Sequence, residues 1–315
     1  MLLIRLDAIG DALALTPALA ALRRHGIPFD VVLTAANAAA FAPDAAREAV
    51  VAEFALRSST PANLTAIERL GEALRSRAYT HAIVVTEDPG GYRLARAVAA
   101  PARIGFADPW TKPLKALWTR RLLTMLLYRS SRLTRGAHEC ETLFRLVAPL
   151  VGNETPTRDP RELRPLVLAA EPPPDDRIAV QITDKWERWG VPLDAVIELV
   201  RRLEGAGPVR LLAARSEEVY ARRIAAATDR AIDYFDDLES WKAAIAAAPA
   251  IVAPDSGAIH VGGTIGTPVV AVFAAQPLFD AQVARWSPWA SPNRIVRADR
   301  GWPQRAADAV VQLRT

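Results

Sequence analysis

One candidate general base stands close to the start of the chain. The segment Arg5-Leu6-Asp7-Ala8-Ile9-Gly10-Asp11 follows a short apolar run and precedes a stretch with helical spacing. Gly10 would let the backbone turn tightly, and Asp11 would stand where the first helix begins. A carboxylate in such a turn can take a proton from an attacking hydroxyl group. The spacing alone favours a plainer role for Asp11, as an N-cap that accepts a hydrogen bond from a helix N–H group.

A second candidate site lies between residues 254 and 260. The segment Asp255-Ser256-Gly257-Ala258-Ile259-His260 follows a predicted strand and opens a helix that Asp255 or Ser256 would cap. The N–H groups and the dipole of a helix start attract anions, so this turn is suited to a diphosphate. The alternative is a capped, glycine-rich core helix in which His260 is partly buried.

Alternating strands and helices must position these two turns. Apolar runs predict strands over residues 2–6, 29–33, 49–53 and 81–85, and again over 177–182, 209–213, 232–235, 250–253 and 269–273, with helical spacing between them. This alternation predicts an α/β fold with mostly parallel sheets. A proline-rich stretch over residues 156–176 predicts a linker between two doubly wound lobes, whose strand-to-helix turns would line a cleft.

The composition describes a globular chain and excludes several classes of protein. The 315 residues are 51% hydrophobic, with a mean hydropathy of +0.08, which suffices for two packed cores and argues against disorder. A formal charge of +4 is too mild for a nucleic-acid binder. No apolar run is long enough for a membrane span or a signal peptide, so we expect a cytoplasmic protein. The single cysteine, Cys140, and four scattered histidines show no metal-ligand spacing, so we expect no metal.

Two distant stretches carry a family resemblance. Residues 3–22 include Gly10-Asp11 and Thr16-Pro17, and the second stretch runs from Asp255-Ser256-Gly257 and His260 to Gly266-Thr267-Pro268 and Phe273. Together they resemble glycosyltransferase family 9, the heptosyltransferases of lipopolysaccharide inner-core synthesis. Weaker likeness at Arg103-Ile104-Gly105-Phe106 and at His138-Glu139 extends the resemblance over most of the chain in family order.

The resemblance implies a GT-B architecture of two Rossmann-like lobes. It assigns residues 1–170 to an acceptor-binding lobe and residues 171–315 to a nucleotide-sugar-binding lobe, and the last helix could pack back on the first lobe. The implied reaction transfers heptose from ADP-heptose to a lipopolysaccharide core or related glycan, with inversion and with neither metal nor cofactor. Asp11 then becomes the general base, and the donor-binding residues include Gly10, Asp255, Ser256, Gly257 and His260.

The turn after residue 182 departs from the family pattern. Members carry a phosphate-binding lysine two residues before a tryptophan, and an ungapped alignment on Trp189 puts Glu187 there. Either Lys185 or Arg188 then contacts the donor phosphate, with Thr183 as a further hydrogen-bond donor. Otherwise Lys185, Glu187 and Arg188 form a solvated surface network. The departure leaves open another nucleotide sugar or acceptor, or a non-catalytic nucleotide-binding member that acts in envelope assembly.

A basic stretch follows the first set of strands. Residues 112–135 carry seven basic side chains and no acidic one, and their apolar residues have helical spacing. A basic amphipathic helix can rest on the anionic inner face of the cytoplasmic membrane. It can equally bind the acidic groups of an acceptor, and we assign that role to Arg120 and Arg121. The alternative is a helix whose apolar stripe lies in the core of the lobe.

Overall fold

A computed structural model describes residues 1–129 and 136–314 of the chain. It divides into two compact units, Met1–Thr157 and Arg158–Thr315. Each unit contains a parallel six-stranded sheet with helices between its strands and has its own hydrophobic core. This confirms the α/β prediction of two Rossmann-like, doubly wound lobes.

Unit 1 has the strand order β3-β2-β1-β4-β5-β6. Its central strand pairs on both sides, with Leu3 opposite Val31 and Ile83. All three residues of β1 are fully buried, as expected for a strand covered on both faces. The elements are β1 Leu2–Ile4, α1 Ile9–Leu13, α2 Thr16–Arg24, β2 Asp30–Leu33, β3 Glu48–Val51, α3 Pro61–Arg75, β4 His81–Val84, α4 Pro89–Val98, β5 Ala102–Ala107, α5 Pro113–Thr119, β6 Met125–Tyr128 and α6 Glu139–Phe144.

Unit 2 repeats this topology with the order β12-β11-β10-β7-β8-β9. The chain runs from β7 through β8 to β9 on one side of β7 and then returns to place β10 on the other side. The same reversal in unit 1 places β4 beside β1. The elements are α7 Pro160–Leu163, β7 Ile178–Gln181, α8 Lys185–Arg188, α9 Leu193–Glu204, β8 Val209–Ala214, α10 Glu218–Thr228, β9 Ile232–Phe235, α11 Leu238–Ala247, β10 Ile251–Pro254, α12 Gly257–Ile265, β11 Val269–Ala274, α13 Phe279–Trp286, β12 Asn293–Ala298 and α14 Trp302–Arg314. In open parallel sheets, ligands bind where the crossovers diverge.

The long basic helix predicted over residues 112–135 is wrong. Helix α5 ends at Thr119, and residues 125–128 form β6, an edge strand that pairs Met125 with Ile104 of β5. Leu122 and Leu123 are buried between these elements, and Leu123 packs against Gly105. An apolar run of this length does not distinguish strand from helix, and the open edge of β5 decides the outcome. Residues 130–135 of the predicted helix lie outside the described part of the chain.

The division between the units falls after Thr157 rather than after residue 170. Residues 158–168 pack on unit 2, where Pro160 lies against Gly266 and the buried Lys242 donates to the carbonyl of Val167 at 2.5 Å. The last helix belongs to unit 2, where α14 packs against α9, β11 and β12.

The described residues contain neither a candidate membrane span nor a candidate metal-binding cluster. None of the helices they form is both long and apolar enough to span a bilayer. Within the same ranges, no three His, Cys, Asp or Glu side chains are grouped so that they could hold a metal ion.

Helix α12 packs closely against the backbone of residues 288–289 at Gly263. A Cβ atom at Gly263 would lie 2.8 Å from Cα of Pro288 and 3.1 Å from the backbone nitrogen of Trp289. Both neighbours are backbone atoms, so neither can move aside as a flexible side chain would.

We expect Gly263→Ala to lower the free energy of unfolding by about 1–3 kcal/mol, because the added methyl overpacks this contact. Urea denaturation measures the change. The control is Gly205→Ala at the end of α9, where the added Cβ meets one carbonyl oxygen at 3.3 Å. A Gly263→Ala variant as stable as the control would contradict this account of the packing.

Candidate active site

A buried amide fixes the loop that follows β1. The side chain of Asn37 is fully buried, and its Nδ2 donates to the carbonyls of Arg5 and Asp7 at 3.2 and 2.6 Å. Its Oδ1 accepts from the backbone nitrogen of Thr34 at 2.7 Å. The amide therefore uses both of its ends to hold the loop in one conformation.

Asp11 is not the N-cap of α1. Ala8 occupies that position without a side-chain cap bond, and Asp11 is the third residue of the helix, with its side chain 35% exposed. Gly10 also has helical backbone, so it does not form the tight turn that the sequence suggests. The carboxylate lies in the first turn, where the helix dipole favours negative charge.

Asp11 shares a buried cation with Asp7. Arg5 Nη2 lies 3.4 Å from Asp11 Oδ1, and Arg5 Nη1 lies 3.4 Å from Asp7 Oδ2. The Arg5 side chain is only 4% exposed and donates to the carbonyl of Val85, just after β4. These groups therefore lie at the carboxyl ends of β1 and β4, where the crossovers of unit 1 diverge.

A second charge cluster follows β4. Lys112 and Lys115 pair with Glu87, and Lys115 Nζ also donates to the Glu87 carbonyl at 2.6 Å. Burial acts against the Glu87 carboxylate, but the Lys112 hydrogen bond and the nearby cations hold its pKa below the ordinary value. Burial lowers the pKa of Lys115. Arg120 and Arg121, predicted to bind acceptor, are exposed at the end of α5.

In unit 2, the turn after β10 forms the start of α12. Ser256 is the N-cap residue, and its side chain makes no cap hydrogen bond. The Ser256 hydroxyl oxygen is buried and has no hydrogen-bond partner among the described residues. His260 Nε2 lies 3.8 Å from Asp255 Oδ1, and the His260 ring packs edge-on against Trp286, with centroids 5.6 Å apart.

The turn after β7 carries two candidate cations, and one of them, Lys185, contacts Asp255 just before α12. Lys185 Nζ donates to the carbonyl of Asp255 and lies 4.6 Å from the centre of the Trp189 ring. Arg188 pairs instead with Asp184, and both side chains are largely exposed. Glu187 pairs with Arg223 on α10 at 2.8 Å, so its carboxylate belongs to a different contact from that of Lys185.

Thr183 has a protein partner for its hydroxyl proton. Its Oγ1 donates to Glu217 Oε1 at 2.8 Å, and the backbone nitrogen of Asp184 donates to the other oxygen of Glu217 at 3.0 Å. The predicted phosphate contact of Thr183 would replace this bond. Glu217 therefore orders the same turn that carries Lys185.

Sequence reasoning missed Arg5, Asn37 and Glu217. Arg5 offered a signal, because a charge that directly follows a buried strand needs a partner. Asn37 and Glu217 gave none, since their partners are distant in sequence. Of the predicted residues, Lys185, Asp255, Ser256, Gly257 and His260 come together in unit 2, whereas Gly10 and Asp11 belong to unit 1.

The sequence of unit 2 matches the model of a known protein family. Residues 183–311 match the model of Glycosyltransferase family 9 (heptosyltransferase). No curated protein sequence matches the chain significantly.

Three solved structures are similar over nearly the whole chain. A glycosyl transferase family 9 structure from Veillonella parvula DSM 2008 is 15% identical, with a TM-score of 0.71 over 94% of this chain and 85% of that one. E. coli heptosyltransferase WaaC with ADP is 20% identical, with a TM-score of 0.69 over 99% and 97%. E. coli WaaC with ADP-2-deoxy-2-fluoro heptose is 22% identical, with a TM-score of 0.67 over 99% and 97%.

These structural likenesses confirm the predicted GT-B fold. The family match covers the predicted donor residues from Thr183 to His260. Residues 183–311 therefore carry the likeness to glycosyltransferase family 9, and the chain as a whole has the GT-B fold of the similar structures.

Proposed function

We propose that this glycosyltransferase transfers heptose from ADP-heptose to a lipopolysaccharide inner-core or related glycan acceptor. The reaction inverts the anomeric centre, needs no metal or cofactor, and uses Asp11 as the general base. The observation that carries the proposal is the meeting of Lys185 and the start of α12 within the family 9 domain. This arrangement provides positive charge where a nucleoside diphosphate leaves.

The donor half of the proposal rests on unit 2. The first N–H groups of α12 have no partner inside the helix, and an ammonium donates as many as three hydrogen bonds. The Lys185 contact with the Asp255 carbonyl is therefore compatible with a phosphate contact. The buried Ser256 hydroxyl is a further group that a phosphate oxygen could satisfy. Two of the similar structures contain ADP or an ADP-heptose analogue, which supports an ADP-sugar here.

The Glu187 carboxylate is paired with a cation, so its charge does not exclude a diphosphate nearby. A carboxylate beside a diphosphate would repel it, but Glu187 is paired with Arg223. Lys185, two residues earlier, takes the place of the family lysine. Arg188 is less suited to the role, because Asp184 holds its guanidinium at an exposed position.

The acceptor half rests on unit 1. In a single displacement, the acceptor hydroxyl oxygen bonds to the anomeric carbon as the bond from that carbon to the diphosphate breaks. The hydroxyl proton passes to the Asp11 carboxylate, and ADP departs with the bonding electron pair. General bases typically contribute ~10²–10⁴ in rate. Lys112, Lys115, Arg120 and Arg121 offer positive charge for acidic groups of the acceptor.

We expect Asp11→Asn to reduce transfer by about 10²–10⁴, because the amide cannot accept the proton. Transfer is measured as ADP release from ADP-heptose in the presence of acceptor. Calorimetry with ADP is the control and should give an unchanged Kd. Wild-type turnover in Asp11→Asn would remove this residue from the mechanism.

We expect Lys185→Met to weaken ADP binding by about tenfold to a hundredfold, the usual effect of losing a charged hydrogen bond. The matched control is Arg188→Met in the same short helix, which should bind ADP like the wild type. Calorimetry distinguishes the two variants. If Arg188→Met is the weaker binder, the phosphate role moves to Arg188.

The proposal includes peripheral contact with the cytoplasmic membrane, through a surface around α5 and β6, which form in place of the predicted long helix. Trp110, Leu114, Leu117 and Tyr128 are each more than half exposed, and the rings of Trp110 and Tyr128 contact each other with centres 5.9 Å apart. We name this the apolar-basic surface, formed by Trp110, Leu114, Leu117 and Tyr128. Residues 109–129 contain five basic residues and no acidic one, which complements anionic lipid.

We expect the chain to sediment with vesicles containing phosphatidylglycerol, and Leu114→Asp to weaken this binding about tenfold. The matched control is Val219→Asp on α10, because Val219 is 82% exposed and Leu114 is 83% exposed. Added salt should weaken the binding. Salt-insensitive binding, or equal losses in the two variants, would exclude this surface.

A further inference from the structure

One buried guanidinium lies between two partly exposed carboxylates in unit 1. The Arg5 side chain is 4% exposed, whereas those of Asp7 and Asp11 are 27% and 35% exposed. Arg5 is fixed from several directions: its Nη1 donates to Val85, its backbone nitrogen donates to Val32 at 2.9 Å, and its carbonyl accepts from Asn37. The cation therefore has a fixed position, while both carboxylates can meet solvent or substrate.

Burying a guanidinium costs free energy unless hydrogen bonds or opposite charges offset the loss of hydration. Its Nε atom is buried and has no hydrogen-bond partner among the described residues, so hydrogen bonding does not fully compensate it. The remaining compensation is charge, from Asp7 and Asp11 at 3.4 Å each. An apolar side chain would fill the same space without this cost, so the charge itself is the property to explain.

We propose that Arg5 is a positioning residue for Asp11, and that Asp7 is the second counter-ion that makes this role workable. The inference rests on the proposed role of Asp11 as the base. Arg5 holds the Asp11 carboxylate ionised and directs one of its oxygens toward the guanidinium. An opposite charge at this distance favours the ionised carboxylate.

The second carboxylate matters once the proton has moved. Asp11 loses its charge when it accepts the hydroxyl proton, and Arg5 would then be a buried cation without a partner. Asp7 remains ionised on the same guanidinium, so the buried charge stays compensated throughout the reaction. A single carboxylate beside Arg5 would instead resist protonation, because the pair would be lost in the same step.

The surrounding charges enter the same balance. Lys115 on α5 and Tyr92 on α4 interact electrostatically with Asp7. The Glu87 carboxylate pairs with Lys115 and so partly offsets the positive charge of that lysine. These groups are unchanged in the variants below, so differences between variants report on Arg5, Asp7 and Asp11 alone.

The test follows the ionisation of Asp11 directly. The ¹³C shift of its carboxyl carbon, assigned with Asp11→Asn, is followed against pH in the wild type, Arg5→Met and Asp7→Asn. We expect the midpoint to move up by about one pH unit in Arg5→Met, which removes the attracting cation, and to move down in Asp7→Asn, which removes a repelling neighbour. Opposite shifts are the signature of a shared cation.

The same variants are then assayed for transfer. The acid limb of kcat should follow the two midpoints, with ADP Kd unchanged, and Arg5→Lys should restore the wild-type acid limb with part of the rate. Unshifted midpoints overturn the inference, as does a loss of rate in Arg5→Met with the wild-type pH profile, which would mean a structural role only. If Arg5→Met does not fold, the downward shift in Asp7→Asn decides alone. Absence of transfer by the wild-type protein would defeat the proposed function, while the carboxyl titration still decides the role of Arg5.

Discussion

In each unit, the first strand is paired on both sides by parallel strands, β1 by β2 and β4, and β7 by β8 and β10. Because the chain reverses its direction across the sheet at this strand, the right-handed crossovers on its two sides lie on opposite faces, and the turns at the carboxyl ends diverge. Every candidate group in the site depends on that divergence. Arg5 and Val85 meet across the gap in unit 1, and Lys185 and Asp255 meet across it in unit 2.

The sequence predicts most of unit 2 because its central strands are continuous apolar runs bounded by prolines and charges. Strand β9 begins and ends at the predicted residues, and β8 extends one residue beyond its prediction. The same reasoning fails at residues 122–127, since an unbroken leucine-rich run has no period and the open edge of β5 selects the strand. Spacing also does not separate an N-cap from the third residue of a short helix, and Asp11 lies three positions after the N-cap residue, Ala8.

The donor turn illustrates a different limit of sequence. Lys185, Glu187 and Arg188 lie within one turn of helix, so a linear alignment cannot tell which side chain meets the start of α12. Their partners decide: Arg188 pairs with Asp184 and Glu187 with Arg223, whereas Lys185 donates to the Asp255 carbonyl just before α12. Those partners come from separate elements, so an alignment of the motif alone does not reveal them.

Lys185 is followed by Trp186, a fully buried indole that stacks on Trp302 of α14 with ring centres 5.3 Å apart. The turn that carries Lys185 is therefore covered by α14, which lies more than a hundred residues later in the chain. Until residue 302 has emerged and docked, this indole has no ring to stack against. The turn that carries Lys185 therefore depends on the last helix of the chain for part of its packing.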